Sequence, residues 1–90
     1  MLAIKTETGP TLVSGAFSVT FGQFEKVAEA AVIFDGPNDD DEVYEVTRTI
    51  ATNVVTITVQ KMTVSATNTW GDAVTSDVAA KTFTVIADGL

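Results

Sequence analysis

The feature that most constrains the fold of this chain is a period of two in its hydrophobic pattern. Three segments alternate in this way: 15–21, 53–60 and 81–87. In the first of them, Phe17, Val19 and Phe21 fall on one face, and Ser18 and Thr20 fall on the other. Because successive side chains of a strand point to opposite faces, this alternation predicts strands that are buried on one side.

Turn-forming residues separate the alternating segments. Thr8-Gly9-Pro10, Asp35-Gly36-Pro37 and Ala51-Thr52-Asn53 all contain residues that favour turns. We therefore predict strands at 2–6, 12–21, 30–34, 42–50, 54–61, 62–66 and 80–87. About seven short strands in a single domain, 1–90, indicate a small all-β fold, an antiparallel β-sandwich or a β-barrel. The alternation does not choose between these two architectures.

Two segments have the composition of a short helix. Residues 23–31 contain Glu, Lys and Ala, which are good helix formers. Their apolar residues also fall at helical spacing: Phe24, Val27, Ala28 and Ala31. We expect one short helix near 23–31, or an irregular turn there. Residues 74–80 are predicted to form one helical turn, with Ser76 or Asp77 as its cap.

The chain contains no cysteine and no histidine. A domain of this size buries only roughly 60–65% of the surface that its unfolded chain exposes. Small domains therefore often depend on disulfides, a metal or partner subunits. Without cysteine there is no disulfide, and without histidine the commonest transition-metal ligand is missing. Because 46% of the residues are hydrophobic, we expect the chain to self-associate as a homo-oligomer. Because the usual metal ligands are missing, we expect no cofactor.

The same two absences argue against catalysis. A Cys–His pair, a Ser–His–Asp triad and a histidine-based metal centre cannot be built from this composition. The glycines form no phosphate-binding loop. Acidic residues crowd into one loop, whereas carboxylate-pair hydrolysis needs two acids across a cleft. We expect no enzymatic activity and no small-molecule ligand.

The net charge of −7 limits the classes of partner. Nucleic-acid binding needs clustered Lys and Arg, but the five basic residues are scattered. No apolar run reaches the length of a membrane span, and the first residues lack the layout of a signal peptide. We expect no contact with nucleic acid or membrane. We expect the chain to stay in the cell that makes it or to leave that cell inside a larger particle.

An acidic loop is the only candidate cation site in the sequence. Its oxygen-bearing residues are Asp35, Asn38, Asp39, Asp40, Asp41 and Glu42. Ca²⁺ takes six to eight oxygen ligands, but the order of these residues does not match the EF-hand loop. We interpret the loop as a solvated connection whose charges discourage pairing at a strand edge. A Ca²⁺ site is the less favoured alternative.

Four apolar residues are candidates for contacts with a partner. Trp70, the only tryptophan, lies in a polar turn. Tryptophan is enriched at interface hot spots, but it also often covers the end of a small β core. Both interpretations stay open for Trp70. The other candidates are Leu2, Ile4 and Leu90, which lie at the two ends of the chain.

The chain as a whole resembles a class of viral proteins. It is short, β-rich, dense in Val, Thr, Ala and Gly, and its last predicted strand runs almost to residue 90. In these respects it is similar to small virion proteins of tailed phages and related viruses, above all head decoration (cement) proteins. The resemblance is one of composition. It implies a virion structural protein that forms trimers or other homo-oligomers and binds major capsid or other virion proteins, with a tail or spike component as alternative.

Residues 15–34 carry a second, weaker resemblance. Phe17, Val19, Phe21, Phe24 and Val27, followed by the apolar run 31–33, are similar to H-type lectin-like domains of adhesins and phage fibres. This resemblance implies a carbohydrate-binding module. The residues with which that family binds sugar are not recognisable in the sequence.

Calcium titration followed by thermal melting tests the interpretation of the acidic loop. A ligand that binds only the folded state raises the melting temperature. We expect no rise with Ca²⁺ beyond that with Mg²⁺ at equal ionic strength, because the loop is predicted to be solvated. A rise specific to Ca²⁺ would favour the carbohydrate-binding module over the plain structural role.

Overall fold

The computed structural model describes residues 1–36, 41–65 and 69–90. The strands within these ranges are β1 (Leu2–Thr8), β2 (Ala16–Thr20), β3 (Val27–Asp35), β4 (Glu42–Ala51), β5 (Val54–Thr63), β6 (Gly71–Asp72) and β7 (Thr82–Gly89). One turn of 3-10 helix at Thr75–Val78 lies inside the segment 74–80, where a helical turn was predicted. Its N-cap is Val74, so the predicted caps are wrong, because Ser76 and Asp77 both lie inside the turn. The all-β, seven-strand prediction is confirmed.

The strands form two antiparallel sheets that make a sandwich. One sheet has the order β1-β7-β3, and the other has the order β2-β5-β4 with the short β6 also pairing with β5. β7 and β5 are the central strands, and both follow the predicted alternation. Their fully buried side chains are Phe83, Val85 and Ala87 of β7, and Val55, Ile57 and Val59 of β5.

A line of aromatic rings crosses from one sheet to the other. The ring centroids of Phe83 in β7 and Phe17 in β2 are 5.0 Å apart, in an edge-on arrangement. Phe34 of β3 lies 5.0 Å from Phe83 and 5.8 Å from Tyr44 of β4. Such ring pairs contribute beyond the area that they bury. They therefore fix how the two sheets face each other.

Two basic side chains connect the sheets along the open sides of the sandwich. The Lys5 ammonium of β1 donates to the carbonyl oxygen of Thr20 in β2 and lies 5.4 Å from the ring centroid of Phe21. On the opposite side, Arg48 Nε of β4 donates to the carbonyl oxygen of Ala30 in β3 at 2.8 Å. Each side of the sandwich is thus bridged by one cation from an edge strand.

Of the two alternatives for 23–31, the short helix is wrong, and the irregular turn is present before β3. β3 begins at Val27, and a turn precedes it in which the Phe24 N–H donates to the Phe21 carbonyl oxygen at 3.0 Å. Buried residues recur here at every third position: Phe21, Phe24, Val27 and Ala30. The turn produces the first part of this spacing. A β-bulge between Val27 and Glu29 produces the rest, and together they imitate a helical pattern.

The predicted strand 12–21 is too long at its start. Val13 and Ala16 exchange backbone hydrogen bonds of 2.9 and 3.0 Å around a two-residue turn. Ser14 and Gly15 both have positive φ, of 51° and 78°, as a type I′ turn requires. β2 therefore begins only at Ala16, after this turn.

The predicted break between strands 54–61 and 62–66 is also wrong. β5 runs unbroken because β4 pairs with it along its whole length, as far as Glu42 opposite Thr63. The hairpin turn predicted between β4 and β5 is confirmed, with Thr52 at φ 55°. β6 was missed: it lies in a predicted turn and pairs two residues with β5.

Replacing a central core residue tests the sandwich. Ile57→Ala should lower the free energy of unfolding by about 2–5 kcal/mol, because Ile57 is fully buried and its loss leaves a cavity. Ile33→Ala is the matched control, since that side chain is 54% exposed. It should cost less than about 1 kcal/mol. Urea unfolding measures both values, and equal losses would contradict the assignment of faces.

Candidate functional site

One part of the outer face of the sheet β1-β7-β3 is apolar, and the threonines of β1 and β7 make another part polar. Leu2, Ile4 and Ile33 are 70, 64 and 54% exposed, respectively. Ile4 pairs with Ile86 of β7, which pairs in turn with Ala31 of β3, so these three residues form a row across the sheet. We call Leu2, Ile4, Ala31, Ile33 and Ile86 the outer apolar face.

Strand phase explains why these residues share a face. In β7 the side chains of Phe83, Val85 and Ala87 point into the core, so those of Thr84 and Ile86 point outward. The sequence analysis singled out neither Ile86 nor Ile33. The sequence signal that could have identified Ile86 as a surface residue is its position in the alternation. Among the outward-pointing residues of β7 it is the one large apolar side chain.

The acidic residues at one end of the outer apolar face have partners within the chain. Glu29 Oε1 lies 2.6 Å from the Arg48 guanidinium, and Asp88 Oδ1 lies 3.0 Å from the N-terminal amine of Met1. A depression of about 190 Å³ lies beside these acids. Its lining residues are Leu2, Glu29, Ala30, Ala31, Ile86 and Asp88.

The four predicted interface residues divide between two places. Leu2 and Ile4 belong to the outer apolar face. Leu90 is 80% exposed and follows β7 directly, at the end of the sheet where Leu2 pairs with Asp88. Trp70 lies next to β6, in the other sheet. The structure therefore brings three of the four candidates to one face or its end and leaves Trp70 apart.

Trp70 lines a cleft at the edge of the second sheet. Its side chain is 43% exposed. The residues that line the cleft, which has a volume of about 210 Å³, are Lys61, Thr63, Thr69, Trp70, Gly71 and Asp72. The pairing of Gly71 with Lys61 and of Asp72 with Gln60 positions this segment against β5.

The acidic loop is only partly within the structure. Asn38, Asp39 and Asp40 lie outside the described residues. Asp35 is exposed at the end of β3. Within 1–36, 41–65 and 69–90, no three acidic side chains come together as a group that could hold a metal ion. Both interpretations of this loop, the solvated connection and the less favoured Ca²⁺ site, therefore stay untested.

The two remaining acids of the loop are engaged with protein groups. Asp41 accepts hydrogen bonds from Ser65, from the backbone N–H at 3.1 Å and from the hydroxyl at 2.6 Å. Glu42 lies 3.5 Å from the Lys61 ammonium and accepts from the Thr63 hydroxyl at 3.4 Å. Both carboxylates thus help to hold β4 to β5 and to the residues that follow β5.

Lys61 is the centre of a charged cluster at this end of the sandwich. Its ammonium donates to Asp77 Oδ1 at 2.8 Å, and the Asp77 side chain is 14% exposed. The other oxygen of Asp77 accepts from the Val74 N–H at 2.8 Å, which ties down the helical turn. The hydrogen bond to Asp77 is the largest of the effects that raise the pKa of Lys61. The geometry gives this cluster a structural role.

Comparison with known proteins gives no family for the chain. It matches no protein-family model, and no curated protein or solved structure matches it either. In the part of the chain that the structure describes, no helix has both the length and the hydropathy to cross a membrane.

Replacing Lys61 tests the structural role of the charged cluster. Lys61→Met keeps the length of the side chain and removes its charge. It should lower the free energy of unfolding at neutral pH by about 1–2 kcal/mol, because Asp77 loses a charged hydrogen bond. A surface control, Lys26→Met, should cost less than about 0.5 kcal/mol.

The pH dependence of the same comparison follows from the raised pKa of Lys61. A group whose pKa is higher in the folded state than in the unfolded state stabilises the fold when it is protonated. This stabilisation is complete at pH values below the pKa of the unfolded state, about 10.4 for lysine. The stabilisation is lost as the pH rises through the folded value. The difference between the wild type and Lys61→Met should therefore stay constant from pH 7 to about pH 10 and shrink above it. A difference that disappears below pH 9 would contradict this role.

Proposed function

We propose that this protein is a virion structural subunit, specifically a capsid decoration (cement) protein that self-associates and stabilises a capsid lattice through protein–protein contacts. The observation that carries the proposal is the outer apolar face, where large aliphatic side chains are exposed to solvent. Contiguous exposed apolar surface usually marks a protein contact. The compositional resemblance to decoration proteins supports the viral setting.

A second copy of the chain is the occupant that suits the outer apolar face. Two acidic residues at its end, Glu29 and Asp88, already have cationic partners within the chain. Association of two copies therefore does not leave them as unpaired buried charges, which would be costly. The depression beside Leu2 also offers a place for an aliphatic side chain of the neighbouring copy, such as Ile4.

The size of the outer apolar face favours many weak contacts over one strong contact. Even the whole outer face of this sheet, threonines included, spans only roughly 300–350 Å², for three strands about 4.8 Å apart and seven residues long. The outer apolar face is a part of that area. A stable isolated complex buries about 800 Å² on each partner. A pair of copies joined by this face alone is therefore weakly bound. On a lattice, further contacts with the capsid act together with it and raise the overall affinity.

Substitutions on the two sheet faces test the proposal. Ile4→Lys places a charge in the outer apolar face and should weaken self-association by about tenfold or more, because the charge must be desolvated. Thr47→Lys adds the same charge to an exposed position on β4 in the other sheet and should leave association unchanged. Sedimentation velocity over a range of protein concentrations measures both effects.

Salt and particle binding provide further readouts. Each copy carries a charge of −7, so added salt should strengthen self-association by screening the repulsion. The protein should also co-sediment with virus particles from the cells that produce it, and Ile4→Lys should reduce this. A wild-type protein that stays monomeric at all concentrations and does not co-sediment with particles would overturn the proposal.

A further inference from the structure

A depression of about 430 Å³ lies on the side of the sandwich where β1 faces β2. Glu7 of β1 and the half-buried Phe17 of β2 both line it. Glu7 pairs with Phe83, and residues directly opposite in an antiparallel pair share a face, so Glu7 points to the inner side. The Phe17 ring lies 5.0 Å from the Phe83 ring. A carboxylate and an aromatic ring thus lie beside the same core residue, and we call this depression the Glu7 wedge.

The free edge of β2 adds a backbone acceptor to the Glu7 wedge. Ala16 exchanges backbone hydrogen bonds with Val13, on the side of β2 away from β5. Hydrogen-bonding direction alternates along an antiparallel strand, so the carbonyl groups of Ser18 and Thr20 point to this same edge. The Thr20 carbonyl oxygen already accepts from Lys5. The Ser18 carbonyl lies two residues away, and Ser18 lines the wedge.

The Lys5 contact shows how this side of the sandwich holds a cation. The Lys5 ammonium bonds to the Thr20 carbonyl oxygen and lies 5.4 Å from the centroid of the Phe21 ring. Two residues further along both strands, the Glu7 wedge again has an edge carbonyl beside an aromatic ring. Glu7 takes the next inward-pointing position of β1 after Lys5. The wedge therefore combines three groups that attract a cation: a carboxylate, a carbonyl oxygen and an aromatic ring.

No basic side chain of the same chain reaches Glu7. Within residues 1–36, 41–65 and 69–90, its carboxylate takes part in no hydrogen bond or ion pair. Four of the five basic side chains contact other groups: Lys5, Arg48, Lys61 and Lys81. The fifth, Lys26, lies at the opposite end of the sandwich, where its carbonyl oxygen accepts from the Leu90 N–H. A cation that enters the wedge must therefore come from another molecule.

We infer that the Glu7 wedge receives an arginine side chain of the partner protein. Glu7 pairs with the guanidinium group, the Ser18 carbonyl oxygen accepts a hydrogen bond from it, and the Phe17 ring packs against it. Arginine suits this set better than lysine, because its planar fork bonds to more than one acceptor and also stacks on aromatic rings.

Charge complementarity determines the class of partner. The chain carries a charge of −7, which favours a positively charged partner surface over a second copy with the same net charge. The inference rests on the proposed function, because it specifies how the subunit contacts the capsid protein. The outer apolar face belongs to the outer side of β1, whereas Glu7 points to its inner side. One subunit can therefore use both contacts.

A peptide titration tests the wedge on the isolated protein. The probe is Ac-Gly-Arg-Gly-amide at low ionic strength. The control is the same peptide with citrulline, which keeps the shape of arginine but has no charge. We expect saturable shifts of the amide NMR signals of Glu7, Phe17 and Ser18, with a dissociation constant on the order of 1–10 mM for the arginine peptide. The citrulline peptide should bind about tenfold more weakly or less, because its hydrogen bonds are not charge-assisted.

Two variants that remove the same charge separate the wedge from the overall field of the protein. Glu7→Gln should weaken binding of the arginine peptide by about tenfold, because the ion pair is lost. Glu45→Gln removes an equal charge from an exposed position of β4, in the other sheet, and should leave the binding unchanged. In co-sedimentation with virus particles, Glu7→Gln should likewise be depleted from the pellet, and Glu45→Gln should not.

The results that would overturn the inference differ from those that bear on the proposed function. The inference fails if the arginine peptide causes no saturable shift up to about 100 mM, a range that covers very weak binding. It also fails if folded Glu7→Gln binds the peptide, or co-sediments, as well as the wild type. A loss of self-association shared by Glu7→Gln and Lys26→Met would assign the wedge to a second copy instead. Peptide binding by a wild type that does not bind particles supports the wedge and counts against the proposed function alone.

Discussion

The packing of β5 against β7 is the interaction on which the rest of the structure depends. Each is the central strand of its sheet, and each presents three fully buried side chains to the other sheet. β1 and β3 are bonded only to β7 within their sheet, whereas β2, β4 and β6 are bonded to β5. A two-stranded hairpin is marginal in water without such packing. Because no disulfide supports this small core, the edge strands hold their places only while the central pair stays in contact.

The sequence predicted the central strands better than the elements around them. β5 and β7 were clear because burial on one face imposes alternation, which a sequence shows directly. The segment from Phe21 to Ala30 failed because a turn and a β-bulge gave a three-residue spacing that local propensity cannot distinguish from a helix. β6 was not predicted because two residues carry no periodicity. Its pairing depends on β5, which is distant in sequence and becomes a neighbour only through folding.

The candidate sites show the same limit. Leu2 and Ile4 were recognisable as apolar residues in an N-terminal strand, but their grouping with Ile33 and Ile86 requires the register between three strands. Trp70 was singled out from its rarity, whereas the cleft that it lines is created by the pairing of β6 with β5. The residue types can thus indicate which side chains belong to a surface, but the register between strands determines which of them lie side by side. The two surfaces lie on different sheets.

The cations that bridge the sides of the sandwich, Lys5 and Arg48, also limit how copies of this protein can add to one another. Each extends from an edge strand and bonds to a carbonyl oxygen of the facing edge strand. A strand from another molecule that tried to extend either sheet would meet an ammonium or a guanidinium, and inward-pointing charges of this kind oppose edge pairing. Growth of an endless cross-β fibre is therefore discouraged at both sides. A protein that is crowded at high local concentration can in this way remain a set of separate folded units.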